Sequence, residues 1–157
     1  MANVITVATY ALHKLGCTST MKLQKVVFYS QAYHLVEHQE PLFEEEIQAW
    51  INGPVVSELF QTHKGQFVID DSYLDERCPE AEQELTDEER ASIDHVVNIL
   101  NNFTGVQLSE LTHNEDPWQQ ARGNCAPNIH SKAPISRDSI YGYYSSPQCS
   151  NPVFASK

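Results

Sequence analysis

The chain has 157 residues, of which 41% are hydrophobic and 20% are charged, a composition typical of one globular domain. It has 10 Lys and Arg residues against 21 Asp and Glu residues, which gives a formal net charge of −11. This balance argues against a protein that binds the DNA backbone or anionic membranes. No apolar stretch reaches the length of about 20 residues that a membrane helix needs. Nor does the sequence begin like a signal peptide, so we expect a cytoplasmic protein without membrane or nucleic-acid partners.

Helical periodicity dominates the first part of the chain. Apolar residues recur at helical spacing from Val4 to Leu15, and Gly16 follows as a stop signal. A second helix is predicted to begin at the hydroxyl side chains of residues 18–20, which suit an N-cap, and to run through Leu35. Because this helix is apolar around most of its circumference, we expect it to be central and buried.

Short strands and a helix are predicted in the next segment. Residues 47–51 alternate like a strand, and residues 67–69 predict a second short strand. Residues 52–54, Asn-Gly-Pro, are predicted to start a helix, because proline at the first helical position gives up no needed N–H. Gly65 supplies the predicted end of that helix.

Helices are also predicted in the second half of the chain. Residues 86–89 form a capping-box pattern that opens the clearest amphipathic helix of the sequence. A shorter helix is predicted over residues 106–111, and another turn begins at residues 116–118. Residues 124–134 are typical of a loop, after which Ser136 is predicted to cap a last short helix.

These elements predict a mainly α fold, a compact single-domain helical protein with a small two-stranded β element. The domain is expected to cover residues 1–144. Residues 145–157 are rich in Ser, Pro and Asn, which predicts a poorly ordered tail.

Most of the negative charge lies in one region. Between Asp70 and Asp94 the chain has eleven acidic residues and two arginines. Such a run is most often a solvated loop and helix start.

A metal-binding pattern occurs at residues 34–38, which read His-Leu-Val-Glu-His and match the inverted zinc-protease motif. Residues four apart face the same way on a helix, so His34 and His38 could share a metal next to Glu37. A catalytic zinc needs a third ligand, and the sequence indicates none. The alternative is a helix end with exposed polar residues, and we expect no metal site.

Other catalytic patterns are absent from the sequence. It has no glycine-rich phosphate loop, no G-x-S-x-G elbow and no C-x-x-C pair. We therefore expect no enzymatic activity and no cofactor. Trp50 and Trp118 both lie at turn-to-helix junctions, where they could either anchor a partner or fill the core.

Three separate motifs resemble those of one family, the Panacea or SocA-like antitoxin domain. The matching segments are Leu23–Leu35 (LQKVVFYSQAYHL), Pro41–Val56 (PLF, IQAW and GPVV in turn) and Leu108–Trp118 (LSELTH followed by PW). The resemblance extends over residues 5–140. The motif positions that it marks for the fold and for a possible interface are Leu23, Gln24, Lys25, Tyr29, Trp50, Gly53, Pro54, Val55, His113 and Trp118.

The resemblance implies a helical antitoxin that neutralises a cognate toxin, encoded adjacently, by direct protein contact. Such a role needs no catalytic residue. It also implies one alternative, an adaptor that delivers the toxin to a AAA+ protease. Another alternative is a phage-borne interaction protein with a host target. DNA binding is not expected, because residues 18–35 carry only Lys22 and Lys25.

An acidic surface is the predicted contact for the toxin. Many toxins that act on RNA or nucleotides present basic sites, and opposite charge accelerates association. The residues assigned to this surface are Asp70, Asp71, Asp75 and Glu76.

Overall fold

The computed structural model describes residues 1–155. Its elements in chain order are α1 (Val4–Leu15), β1 (Thr18–Ser19), α2 (Thr20–His38), β2 (Ile47–Trp50), β3 (Gly53–Val56), α3 (Ser57–His63), β4 (Val68–Ile69), α4 (Ala81–Glu84), α5 (Asp87–Leu100), α6 (Gly105–His113), α7 (Asp116–Arg122), α8 (Arg137–Tyr144) and a final 3-10 turn (Pro152–Phe154). The predicted mainly helical fold is confirmed.

Helix α2 is the centre of the molecule, as its apolar circumference predicts. Fourteen of its 19 residues are buried, and it packs against α1, α5, α6, α8 and β3. The Ser19 hydroxyl accepts a hydrogen bond from the Lys22 N–H at its start. At its end, Gln39 adopts a left-handed conformation with φ of 55°. Helix α2 is therefore the element around which these four helices and β3 are packed.

The caps predicted for α1, α5 and α8 are present. Gly16 follows α1, and its N–H donates to the carbonyl of Leu12. The capping box before α5 is formed, with the Thr86 hydroxyl accepting from the Glu89 N–H and the Glu89 carboxylate accepting from the Thr86 N–H. Ser136 caps α8 by accepting from the N–H of Ser139.

Two small antiparallel sheets form within residues 1–155, one more than the sequence predicts. Strands β2 and β3 make a tight hairpin, and β1 pairs with β4. The loop predicted at residues 124–134 is confirmed, and its end lies along β2. There the Ala49 N–H donates to the Ala133 carbonyl at 2.8 Å, and the Ile135 N–H donates to the Ile47 carbonyl at 2.8 Å.

The prediction that Gly53 and Pro54 start a helix is wrong. Both residues belong to β3, and α3 begins three residues after Pro54, at Ser57. Pro54 lies opposite Ala49, whose N–H and C=O point away to Ala133 and to Arg122. This is a pair without ladder hydrogen bonds, so the missing N–H of proline costs nothing there.

Part of the segment predicted as a tail is buried. The Asn151 side chain caps the 3-10 turn by accepting from the Val153 N–H, and Asn151, Val153 and Phe154 are all buried. Residues 151–154 thus pack on the helical domain, whereas most of residues 145–150 are exposed. The prediction for residues 156 and 157 lies outside the described residues.

Candidate functional site

A groove of about 670 Å³ opens between the start of α2, the β2–β3 hairpin, α3 and the start of α6. Its walls are mostly apolar and include Trp50, Val55, Phe60, Phe67, Val68 and Val106. Three of these wall residues are strongly exposed, with 85% of Phe67 and 60% of both Val68 and Val106 open to solvent. A concave apolar surface with exposed rim residues is typical of a binding site.

The floor of the groove is built around Gln24. Its Oε1 accepts a hydrogen bond from the Val56 N–H at 2.9 Å, and its Nε2 lies 3.0 Å from Nε2 of His63. Because the amide nitrogen is a donor, this contact requires an unprotonated Nε2 on His63. Burial lowers the pKa of His63, which favours the same neutral form. Gln24 and His63 therefore join α2 to β3 and α3.

Lys25 is the charged group of the floor, and only 1% of it is exposed. Its Nζ donates to the carbonyl of Pro54 at 3.1 Å. None of the ion pairs within residues 1–155 includes Lys25. Burial lowers the pKa of Lys25 to about 7, because the surroundings disfavour the charged form.

Gly53 makes room for the Lys25 side chain. A Cβ atom at position 53 would lie 2.6 Å from Cε of Lys25 and 2.8 Å from Oγ1 of Thr112. Gly53 also has a φ of 116°, which residues with a side chain rarely adopt. Gly53 and Pro54 thus belong to the hairpin and also accommodate Lys25. Glycine leaves room for the lysine side chain, and the proline carbonyl accepts a hydrogen bond from its Nζ.

Trp118 and its neighbours hold the hairpin from the other side. The Trp118 Nε1–H donates to the Trp50 carbonyl at 2.7 Å, and His113 stacks on the Trp118 ring at 4.1 Å. Arg122 lies over the same ring and donates to the Ala49 carbonyl at 3.0 Å. Trp118 is therefore a buried support, whereas the half-buried Trp50 lines the groove.

Tyr29 belongs to a separate buried network around Glu115. Oε1 of Glu115 accepts from the hydroxyls of Tyr29 at 2.7 Å and Tyr144 at 2.6 Å, and Oε2 accepts from Asn151 at 2.8 Å. Burial raises the pKa of Glu115, and these three hydrogen bonds oppose that rise. Sequence reasoning missed Glu115, because in an Asn-Glu-Asp sequence it resembles a solvated turn.

The ten motif positions divide into three groups: those at the groove, those that support the hairpin and those in the core. Gln24, Lys25, Trp50 and Val55 line the groove, and Gly53 and Pro54 shape its floor. His113 and Trp118 support the hairpin. Leu23 and Tyr29 are buried in the core. The groove is thus where the largest number of motif side chains meet.

The four predicted acidic residues lie beyond the groove in the chain, directly after β4. Asp70, Asp71 and Glu76 are exposed, and Asp75 is half-buried. Asp70 accepts from the N–H and the hydroxyl of Ser72, and Asp75 lies 2.5 Å from Nε2 of His13. Asp70 and Asp75 therefore take part in local structure, while Asp71 and Glu76 extend the negative surface.

The histidine motif of α2 is divided between the core and the surface. His34 is 4% exposed and its Nδ1 shares a hydrogen bond with the Ser92 hydroxyl at 2.8 Å, so the alternative of an exposed helix end is wrong for this residue. Nδ1 of His38 lies 3.6 Å from Glu88. Across residues 1–155, no group of three His, Cys, Asp or Glu side chains is arranged to hold a metal ion. His34 thus connects α2 to α5.

The comparisons with known proteins identify a family. In the described part of the chain, no helix has the length and apolar content to span a bilayer. Neither the curated proteins nor the solved structures include a significant match. The family model described as "Antitoxin SocA-like, Panacea domain" matches residues 23–119, more than half of the chain and all ten motif positions. The chain therefore belongs to the SocA-like antitoxin family with a Panacea domain.

Proposed function

We propose that this chain is an antitoxin that neutralises its toxin by direct contact, and that the apolar groove is the contact surface. The observation that carries the proposal is the coincidence of two features at one place. The groove is lined by Gln24, Lys25, Trp50 and Val55 from the family motifs. Its rim exposes large apolar side chains to solvent, and burying such side chains on a partner would stabilise a complex.

The side chains of the groove fit binding better than reaction chemistry. Gln24 and His63 are hydrogen-bonded to each other, and Gln24 also binds the backbone of Val56. Trp50 contacts Phe60 edge-on, with 4.9 Å between ring centroids. Partly exposed aromatic side chains held by neighbours are typical of the anchors of protein interfaces.

The acidic surface of Asp70, Asp71, Asp75 and Glu76 adds a second element to the proposal. It follows β4, and Val68 of β4 is part of the groove rim. We assign it a long-range role: negative charge near the groove would accelerate the approach of a basic toxin.

The test is co-expression with the product of the adjacent open reading frame, measured by growth and by co-purification. Rescue of growth together with a stable complex is the expected result. Rescue in which the toxin disappears, and which requires an intact AAA+ protease, would favour the adaptor alternative. A toxic neighbour that this chain neither binds nor counteracts would contradict the proposal.

A matched pair of variants tests the place of contact. Val106 and Ile129 are both exposed aliphatic residues, at 60% and 53%, but only Val106 lines the groove. We expect Val106→Asp to lose the complex and Ile129→Asp to retain it. Val106 lies in the first turn of α6, where an acidic side chain suits the helix dipole, so the substitution should not unfold the protein.

A further inference from the structure

We infer that the groove accepts an apolar segment of the toxin that carries an acidic side chain, and that Lys25 binds the carboxylate of that side chain. The inference deepens the proposed function and rests on it. It assigns to Nζ of Lys25 a hydrogen-bond acceptor that the described residues of this chain do not supply.

The first argument is the unequal supply of donors and acceptors at Lys25. A lysine ammonium has three N–H donors, and the hydrogen bonds within residues 1–155 give Nζ one acceptor, the carbonyl of Pro54. The oxygen of the neighbouring Gln24 side chain already accepts from the Val56 N–H. A buried cation in such surroundings is costly unless a further acceptor or an anion reaches it.

The second argument is the sign of the charge in this part of a strongly acidic protein. The residues that line the groove include Lys25 and no aspartate or glutamate. The floor of the groove thus holds a basic side chain, with no acidic one beside it, within mostly apolar walls. Electrostatic attraction is stronger between such walls than in water, so a carboxylate would bind there better than at the surface.

The third argument concerns what else the occupant must offer. The walls around Lys25 carry Trp50, Phe60 and Val55, so a hydrated ion by itself would leave the apolar surface uncovered. The volume of about 670 Å³ is within the range of about 300–1,000 Å³ found for ligand pockets. Several side chains of a protein segment fit this space, with the apolar ones on the walls and one carboxylate at Lys25.

The experiment measures the affinity of the purified chain for the product of the adjacent open reading frame. Lys25→Met keeps the length of the side chain and removes its charge, and Lys22→Met makes the same change one turn earlier on α2. Lys22 donates to the Asn101 carbonyl and is not part of the groove lining. We expect Lys25→Met to weaken binding by about 30-fold or more and Lys22→Met to leave it within about twofold.

Toxin variants complete a double-mutant cycle. Each Asp of the toxin is changed to Asn and each Glu to Gln, and each variant is measured against wild-type and Lys25→Met chains. One carboxylate should matter against wild type and have no effect against Lys25→Met. The melting temperature of Lys25→Met is measured alongside, because an unfolded variant would lose binding for a trivial reason. The toxin variants test the same contact with the wild-type chain.

The outcomes separate the inference from the proposed function. A stable complex whose affinity depends neither on Lys25 nor on any toxin carboxylate would overturn the inference and leave the antitoxin function intact. If Val106→Asp abolishes the complex but no carboxylate couples to Lys25, the groove binds the toxin by its apolar walls alone, and the inference is again overturned. The lack of any complex with the wild-type chain would contradict both.

Discussion

Two buried charges, Glu115 and Lys25, lie in contrasting regions of the molecule. Glu115 receives three hydrogen bonds, from Tyr29, Tyr144 and Asn151, so its carboxylate is enclosed by donors from α2, α8 and the end of the chain. Lys25 gives one hydrogen bond, to the backbone of Pro54, and borders an open groove.

The difference separates a structural charge from one available to a partner. At Glu115 the polar groups of the chain itself offset the cost of burial, and the network fastens the last residues to the helical domain. At Lys25 they do so only in part, and the opening next to it would let another molecule supply the missing acceptor. The region around Glu115 should therefore govern stability, and the region around Lys25 should govern binding.

The largest effect is expected from Glu115→Ala. The substitution would leave two tyrosine hydroxyls and the Asn151 amide buried without their acceptor, and it would open a cavity. We expect a loss of about 3–5 kcal/mol in the free energy of unfolding, measured by urea denaturation. Glu110→Ala, at an exposed position of α6, is the control and should change stability by less than about 0.5 kcal/mol. If Glu115→Ala lowers the free energy of unfolding no more than Glu110→Ala does, the network does not contribute to stability.

The second prediction concerns the space beside Lys25. Gly53→Ala would place a methyl group against Cε of Lys25 and Oγ1 of Thr112 and would strain the backbone. We expect a loss of about 2–4 kcal/mol. Gly123 also has a positive φ, but an added Cβ there would meet nothing within 4 Å, so Gly123→Ala should cost only the backbone strain, about 1–3 kcal/mol. Equal losses would show that backbone strain alone accounts for the glycine at position 53.

In the third prediction, substitution of a buried residue is expected to stabilise the protein, whereas such substitutions usually destabilise it. Lys25→Met removes a charge whose burial opposes folding, so we expect it to stabilise the chain at pH 7 by about 1–3 kcal/mol. The pKa of Lys25 falls from 10.5 to about 7 on folding. Between these values the unfolded chain binds more protons, so wild-type stability rises with pH.

The advantage of Lys25→Met should therefore shrink as the pH is raised from 7 to 9. Urea denaturation of wild type and of Lys25→Met over this range gives the difference between their free energies of unfolding. The contributions of the other titrating groups cancel in this difference. Lys22→Met is the control, since Lys22 is more exposed and should show a smaller change with pH. A difference that stays constant from pH 7 to 9 would mean that the native lysine does not titrate there.

The sequence predicts the helical part of the fold well because local signals determine it. The capping box at Thr86 and the stripe of α5 need only neighbouring residues, as does the apolar circumference of α2. The Gly53-Pro54 pair shows the limit, since proline suits both a helix start and an unbonded strand position. The choice depends on Ala133 and Arg122, which bind the backbone of Ala49 from far along the chain.

The candidate site was predictable only in part. Family motifs point to Gln24, Lys25 and Trp50, yet their spacing says nothing about the groove that they line. Its rim includes Phe67 and Val106, whose strong exposure depends on how β4 and α6 pack, which periodicity does not encode. Glu115 and Asn151 were missed for the same reason: a polar residue in an Asn-Glu-Asp turn, or in a tail rich in Ser and Pro, gives no sign of its buried partners.

The smallest effect should come from the acidic surface, which differs from both buried charges in acting at long range. Asp71→Lys combined with Glu76→Lys reverses its two most independent charges and spares Asp70 and Asp75, which hold local structure. We expect the association rate constant with the toxin to fall about tenfold at low salt, with the dissociation rate unchanged. Stopped-flow measurements should show the difference vanish near 1 M salt, where the Debye length is about 3 Å.

The control for this variant changes the same amount of charge elsewhere. Glu40→Lys combined with Glu44→Lys reverses two exposed acids in the turn after α2, outside the groove lining. If the acidic surface steers the toxin, this control should slow association less than the Asp71 and Glu76 pair does. Equal slowing would assign the effect to the net charge of −11 as a whole. Specific recognition would then depend on the groove and its buried lysine. Salt screens the interactions of exposed charges, but it weakens those of a buried charge much less.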